Sequence, residues 1–294
     1  MNKIIENFLD IHKKEYSIER LDTETAFEHF TNKCIVNKYS NERFDPSDIM
    51  TDPGEKGLDG VAICVNGRVI TSNDELESIL GEAKSLDVRF VFIQTKTSEH
   101  FDGDEIGTFI YGVKAFFAPE ALRPQTNEKM DNLISLKDEI YRHSIDMTNA
   151  PVLDLYYVCC GKWVEGNGLM SRVNLDIQPL IDTQNFSSVA FFPYDSEKII
   201  TTYKELKKKV SRSFTMEKKV TFPPIDGVKQ AFLGLVKCKD FVTILTDSDN
   251  NMLTNIFEDN VRDFQGYNIV NSEIQDSLRP VSYTHLTLPT NSRV

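Results

Sequence analysis

The sequence predicts an α+β fold, and three observations in its first 120 residues support this. Residues 3–16 and 23–39 carry apolar side chains at mostly helical spacing, which indicates two amphipathic helices. The dipeptide Asn66-Gly67, which favours a two-residue hairpin turn, separates two apolar runs that are typical of paired strands. Residues 88–97 are almost continuously apolar until Gln94, as expected of a central strand buried on both faces.

These elements follow one another as helix, hairpin, strand and helix. The hairpin strands are predicted at residues 58–65 and 68–71, with a short helix at residues 74–84. A helix at residues 104–117 follows the long strand. The acidic residues at 102–105 suit the first turn of that helix, because carboxylates interact favourably with the positive end of the helix dipole.

A second series of elements follows Pro119 and Pro124. Helices and strands are both predicted there: helices at residues 128–144 and 169–183, and strands at residues 153–163, 188–192, 232–236 and 241–245. We therefore expect a first domain at residues 1–120, an intervening α/β region at residues 121–229 and a further domain that begins near residue 230.

Composition and charge exclude several classes of protein. The chain has 294 residues, of which 40% are hydrophobic and 27% are charged, with a formal net charge of -12, as in ordinary globular proteins. No stretch approaches the roughly 18 apolar residues that a membrane span needs, so no membrane association is predicted. The 5 cysteines contain no CxxC pair, which argues against a disulfide framework or structural zinc and favours the reducing cytoplasm.

Asp59 precedes the first hairpin strand between two glycines, while Gln94 and Lys96 end the long strand. Because residues two apart in a strand share a face, Gln94 and Lys96 point the same way. Hydrolysis of a phosphodiester bond needs a divalent cation held by oxygen ligands, an activated water and positive charge near the phosphate. Asp59, Gln94 and Lys96 supply these parts, whereas the alternative is that Gln94 and Lys96 only mark the solvent end of a buried strand.

This pattern resembles the PD-(D/E)xK superfamily of restriction-endonuclease-like proteins, whose core is a helix, a hairpin, a central strand and a helix. It is most similar to the Mrr-type variant, in which Q-x-K replaces the acidic motif and a glutamate on the preceding helix completes the metal site. The resemblance implies that Glu28, with Glu24 as the substitute one turn earlier, joins Asp59 and Gln94 around Mg²⁺ or Mn²⁺. It implies that Lys96 lies beside the attacking water.

A second resemblance covers longer segments at both ends of the chain. Residues 26–30, 57–67, 92–117 and 256–274 resemble the AIPR family, named for abortive infection and phage resistance. The last of these segments is similar to the start of the AIPR domain, which implies a truncated domain at residues 230–280. The family implies a role in bacterial phage defence, whereas the nuclease interpretation comes from the site residues.

A basic segment at residues 204–219 is the predicted nucleic-acid contact, because lysine and arginine neutralise backbone phosphates. It carries seven basic residues: Lys204, Lys207, Lys208, Lys209, Arg212, Lys218 and Lys219. A solvated helix face is the alternative for this run. DNA is favoured over RNA as the partner, and homo-oligomerisation stays open. Two non-enzymatic hypotheses also stay open. One is a nucleic-acid-binding or sensor module whose catalytic site has decayed, and the other is a protein-interaction scaffold.

The last residues, 281–294, lack hydrophobic periodicity and carry little charge, unlike residues 253–264, where apolar side chains recur at helical spacing. Read back into codons, residues 281–290 match a transposase-type sequencing adapter, and residues 291–293 then correspond to an index barcode. We therefore expect residues 281–294 to be adapter read-through, and we leave them out of the fold prediction.

Overall fold

The structure is a computed structural model that describes residues 1–40, 42–52, 57–166, 168–207, 213–223 and 230–246. Within these residues the chain is a mixed α+β protein with a five-stranded sheet, which confirms the predicted class. The strands of this sheet are β1 (Gly60–Val65), β2 (Arg68–Ile70), β3 (Val88–Lys96), β4 (Val152–Cys159) and β5 (Ser188–Tyr194).

Nine α-helices are found in the described part of the chain, and none of them is long and apolar enough to cross a membrane. Their bounds are α1 (Lys3–Glu15), α2 (Thr23–Val36), α3 (Pro46–Ile49), α4 (Asn73–Glu82), α5 (Gly103–Phe117), α6 (Glu128–Arg142), α7 (Leu169–Asp182), α8 (Ser196–Leu206) and α9 (Cys238–Leu245). The short helix α3 begins at Pro46, and the side chain of Asp45 caps it.

The strand order in the sheet is β2-β1-β3-β4-β5, so β3 occupies the centre. The hairpin partner β1 pairs antiparallel with both β2 and β3, whereas β3, β4 and β5 run parallel. Asn66 and Gly67 both have positive φ, 53° and 76°, which is the conformation that a type I′ hairpin turn requires. The predicted hairpin and the predicted central strand are both confirmed.

Helices cover both faces of the sheet, and the alternation along β3 decides which side chains meet which layer. Phe90 and Phe92 enter the core formed with α4, α5, α6 and α7. Val91 and Ile93 enter the opposite core, formed with α1, α2 and α8. Since both faces are buried, the strand tolerates polar residues only near its ends.

The sheet crosses the predicted domain boundary at residue 120. β3 lies before this boundary and β4 after it, yet the two strands pair along their whole length. The helix α8, from the predicted intervening region, packs on α1, and the Phe8 and Tyr203 rings lie 4.6 Å apart between centroids. The described residues on the two sides of position 120, as far as the end of α8, therefore share one sheet and both of its cores.

A separate two-stranded sheet follows, formed by β6 (Glu217–Thr221) and β7 (Phe232–Leu235). The strand predicted at residues 241–245 is wrong, because these residues form the end of α9. A short apolar run suits either element, and the sequence pattern alone does not distinguish them. The rest of the predicted domain at 230–280, and the tail at 281–294, lie outside the described residues beyond position 246.

Candidate active site

The antiparallel pairing of β1 with β3 brings Asp59 to the end of the central strand. Gly60 pairs with Ile93, which places Asp59, the residue before β1, opposite Gln94. The backbone N–H of Asp59 donates to the carbonyl of Ile93 at 2.9 Å and extends the ladder by one residue. The aspartate is therefore held by the sheet itself and not by a free loop.

The carboxylate of Asp59 is bound through one of its oxygens by three donors from β3. The Gln94 Nε2 and the Thr95 backbone N–H each lie 2.7 Å from Asp59 Oδ2, and the Thr95 hydroxyl lies 2.9 Å from it. No donor from the described residues reaches Oδ1. The arrangement fixes the carboxylate and leaves its second oxygen available to a ligand.

Gln94 is buried with one polar atom unpaired. Its side chain is only 4% exposed, so this residue does not mark the solvent end of the strand, and that alternative is wrong for Gln94. Because the amide nitrogen faces the acceptor Asp59, Oε1 points elsewhere, and it has no hydrogen-bond partner in the described part of the chain. An unpaired buried acceptor is costly, and a bound cation or water would remove that cost.

Glu28 on α2 completes a pair of carboxylates whose charged forms are disfavoured. Burial, followed by repulsion from Asp59, raises the pKa of Glu28 to about 7. Burial also raises the pKa of Asp59, although the hydrogen bonds from Thr95 and the positive charge of Lys96 oppose that shift. The site therefore contains two acids that repel each other and an unpaired amide oxygen, which are the types of ligand that a hard divalent cation prefers.

Lys96 lies on the same face of β3 as Gln94, as the strand alternation predicts. Its charge also acts on both acids, since it opposes the rise in pKa of Glu28 as well as that of Asp59. The Lys96 Nζ lies 3.6 Å from Glu105 Oε1, and its side chain is 35% exposed. The structure therefore brings Glu28, Asp59, Gln94 and Lys96 to one end of the sheet.

The two glycines that flank Asp59 are explained by close backbone approaches. Gly57 has a φ of 73°, and a Cβ on it would lie 2.9 Å from the backbone of Phe109 in α5. A Cβ on Gly60 would lie 2.4 Å from Asn32 Oδ1 in α2. The close approaches at these glycines are therefore made by helices from both layers.

Sequence reasoning missed four residues that contact this site: Asn32, Thr95, Glu105 and Tyr157. Asn32 is fully buried one turn after Glu28, and its Nδ2 lies 3.4 Å from the Asp59 carbonyl oxygen. The spacing of four from Glu28 was the available signal. Thr95 points to the opposite face of β3 and reaches Asp59 only because the aspartate lies at the strand end. Glu105 and Tyr157 meet across 52 positions, so no local pattern predicts them.

The other predicted residues lie apart from this cluster. Glu24 is exposed and acts on Glu28 only as a neighbouring negative charge. Lys204, at the end of α8, and Lys207 are exposed, and the Lys207 Nζ lies 2.6 Å from Glu15 Oε1. Lys218 and Lys219 are exposed on β6, whereas the remaining three, Lys208, Lys209 and Arg212, lie outside the described residues.

Across the described ranges no group of three or more His, Cys, Asp or Glu side chains is placed to hold a metal ion. The candidate donor set is instead two carboxylates and one amide oxygen, which is smaller and less negative. Comparison with family models, with curated proteins and with solved structures finds no match to this chain. The geometry of the residues at the end of β3 is therefore the basis on which a function is proposed.

Proposed function

We propose that this protein is a metal-dependent nuclease that hydrolyses phosphodiester bonds in nucleic acid. The observation that carries the proposal is the bonded pair of Asp59 and Gln94, joined at 2.7 Å, with Lys96 acting on the charge of Asp59 and Asp59 acting on that of Glu28. The β2-β1-β3-β4-β5 sheet, with α2 and α5 on opposite faces, supports a restriction-endonuclease-like core.

The oxygen donors at this site fit Mg²⁺ or Mn²⁺. Asp59 and Glu28 provide carboxylate oxygens, and the unpaired Oε1 of Gln94 provides a neutral third oxygen. When bound, the cation would supply a Lewis acid for the phosphate and acidify a water molecule. The pKa of Glu28, raised to about 7, is expected to fall when positive charge replaces the repulsion from Asp59.

The protein side chains have separate tasks in this reaction. Asp59 keeps its orientation through the three donors on Oδ2, so its free oxygen faces the ligand without reorganisation. Lys96 brings the positive charge that favours the negative phosphorane-like transition state and the attacking water. The amide of Gln94 makes the site one charge less negative than a carboxylate would, which lowers its repulsion of phosphate.

The biological setting follows from the AIPR resemblance, and we propose that cleavage serves phage defence in the cytoplasm. DNA is the favoured substrate over RNA, and the exposed Lys204, Lys207, Lys218 and Lys219 are the proposed backbone contacts among the described residues. In the described part of the chain no hydrogen bond or ion pair joins these lysines to the site. They would therefore contact nucleic acid away from the scissile phosphate.

Cleavage by the purified full-length chain tests the proposal. Plasmid DNA, linear DNA, single-stranded DNA and RNA are incubated with Mg²⁺, with Mn²⁺ and with chelator. Asp59→Asn and Lys96→Ala should each lower the cleavage rate at least about a hundredfold, because the first removes a charged ligand of the cation and the second removes the positive charge beside the attacking water. The matched controls are Asp87→Asn and Lys84→Ala, both exposed near the other end of β3, and they should cleave like the wild type. Absence of cleavage on every substrate, or full activity in both site variants, would disprove the nuclease.

A second candidate is a nucleic-acid-binding or sensor module without catalysis. It is favoured by the Gln94 amide, whose nitrogen already donates to Asp59 Oδ2, at the position where the general PD-(D/E)xK motif carries a second acid. Titration with Mn²⁺ in the absence of nucleic acid separates the two candidates. Binding that disappears in Asp59→Asn supports the nuclease, whereas nucleic-acid binding with no Asp59-dependent Mn²⁺ affinity supports the sensor.

A further inference from the structure

We propose that Glu105, held by the hydroxyl of Tyr157, is a positioning residue that fixes the Lys96 ammonium at the reaction site. The inference rests on the proposed nuclease function and adds two residues to it. Its basis is a chain of contacts, in which each oxygen of one carboxylate has its own partner. Tyr157 donates to Glu105 Oε2 at 2.9 Å, and Lys96 Nζ lies 3.6 Å from Glu105 Oε1.

Tyr157 is a rigid base for this chain of contacts. It is fully buried in β4, and its ring centroid lies 5.9 Å from that of Phe101 and 6.2 Å from that of Phe109. In the parallel register Tyr157 pairs with Gln94, so the tyrosine stands beside the glutamine on the same face of the sheet. The hydroxyl that holds Glu105 is therefore fixed relative to the proposed metal ligand.

The backbone of Glu105 is fixed as well. Asp102 caps α5, and its Oδ1 accepts from the N–H of Asp104 at 2.8 Å and from that of Glu105 at 3.0 Å. The predicted favourable role of acidic residues at this helix start is confirmed for Asp102, which makes the cap. The cap holds only the backbone of Glu105, so its side chain can extend from α5 toward Tyr157 and Lys96. The backbone is then fixed by Asp102, and the carboxylate is fixed by Tyr157.

Fold stability does not account for the contact between Lys96 and Glu105. Their side chains are 35% and 46% exposed, and ion pairs that are this open to solvent contribute little to stability. A lysine ammonium on a flexible four-carbon stem has many rotamers. If Glu105 holds the Lys96 ammonium in one rotamer, less side-chain entropy is lost when the lysine acts in catalysis.

Glu105→Gln tests the positioning role, because glutamine keeps an acceptor for Tyr157 but removes the charge that attracts Lys96. The matched control is Asp104→Asn, which removes an equal charge from the adjacent residue. Asp104 is exposed, and its ion-pair partner at 2.9 Å is Arg172 and not Lys96. Steady-state cleavage is measured with Mg²⁺, and Mn²⁺ affinity is measured by calorimetry without nucleic acid.

We expect Glu105→Gln to lower kcat about tenfold with KM and Mn²⁺ affinity unchanged, because misplacement of a catalytic group costs rate and not binding. Tyr157→Phe should lower kcat about threefold, since one hydrogen bond is lost while the charge remains. Asp104→Asn should match the wild type. Denaturant unfolding of each variant shows whether a loss of rate comes from a loss of folded protein.

Two outcomes overturn the inference while leaving the nuclease intact. If Glu105→Gln lowers Mn²⁺ affinity, Glu105 is a metal ligand and not a positioning residue. If a folded Glu105→Gln cleaves at the wild-type rate, the carboxylate does not position Lys96. A wild-type protein that cleaves no nucleic acid overturns the nuclease proposal, and the positioning role falls with it.

Discussion

At its amino end β3 carries Arg89, and at its carboxyl end it carries Gln94 and Lys96. The Arg89 guanidinium donates to Asp154, which is 2% exposed on the neighbouring strand, and lies 4.6 Å from the centroid of the Tyr39 ring. The carboxyl end holds Asp59 and Glu28, with raised pKa values, and the unpaired oxygen of Gln94. The same strand thus ends in two polar clusters of different kinds.

The difference separates a structural polar cluster from a functional one. At the amino end the charges are opposite and paired, and Arg89, Asp154, Tyr39 and Tyr156 contribute no unpartnered buried side-chain atom in the described part of the chain. At the carboxyl end like charges face each other and an acceptor lacks a donor. Such local conflict is costly in the absence of a ligand, which is why it is typical of sites that bind one.

The largest expected effect on the free energy of unfolding comes from replacing an aspartate by asparagine in each of the two polar clusters of β3. Asp154→Asn removes the charge that compensates Arg89, and we expect the free energy of unfolding to fall by about 3 kcal/mol, because a pair at a buried carboxylate is broken. Asp59→Asn should change it by less than about 1 kcal/mol, since burial already disfavours the charge there. Chemical denaturation measures both variants.

Cleavage should show the opposite ranking. Asp154→Asn is expected to cleave at the wild-type rate per folded molecule, whereas Asp59→Asn should be inactive. A loss of several kcal/mol in Asp59→Asn, or a loss of cleavage in folded Asp154→Asn, would remove the distinction between the two clusters.

The next effect is a dependence of the free energy of unfolding on pH, which comes from Glu28 at the carboxyl end of β3. The pKa of Glu28 rises from 4.5 to about 7 on folding, so the folded protein binds more protons between these values than the unfolded chain. Stability from this group is therefore complete below pH 4.5 and is lost as pH rises through 7. After allowance for solvent screening, we expect Glu28→Gln to exceed the wild type by about 1 to 2 kcal/mol at pH 8 and to equal it at pH 4.

Glu24→Gln is the matched control, because Glu24 lies one turn earlier on α2 and is exposed. Its difference from the wild type should stay within about 0.5 kcal/mol from pH 4 to pH 8. Mn²⁺ at pH 8 should raise the stability of the wild type more than that of Glu28→Gln, since binding to the folded state alone stabilises it. A constant difference between Glu28→Gln and the wild type across pH would contradict the raised pKa.

Much of the fold was predictable because its signals are local. Asn66-Gly67 indicated the hairpin, and the run at residues 88–97 indicated the central strand, since turn chemistry and burial act on neighbouring residues. The strand predicted at residues 241–245 is wrong, because a short apolar run is compatible with a strand or a helix. Contacts with the rest of the chain, and not the local pattern, decide that these residues belong to α9. The pairing of β3 with β4 across residue 120 is a long-range choice that no local pattern carries.

The candidate site divides in the same way. The common face of Gln94 and Lys96 follows from strand alternation, and the position of Glu28 came from the resemblance. The burial of Gln94 was not foreseen, because a polar residue near a strand end is as consistent with an exposed end as with a site. The partners Glu105 and Tyr157 depend on how α5 meets β4, which only the tertiary structure specifies.

The smallest expected effect compares a hydroxyl deleted from the cluster around Arg89 with one deleted from the site. Tyr39 and Tyr156 share a hydrogen bond between their hydroxyls in the cluster around Arg89, and Tyr156 is 3% exposed. Tyr39→Phe removes that bond but keeps the ring beneath Arg89, so stability should fall by about 1 kcal/mol while kcat stays unchanged. Tyr157→Phe removes a hydroxyl of the same kind that holds Glu105, and it should lower kcat. If folded Tyr39→Phe and folded Tyr157→Phe lose kcat equally, the cluster around Arg89 also supports catalysis. Loss of a buried hydrogen bond would then lower the rate wherever it occurs, and the two clusters would not differ in function.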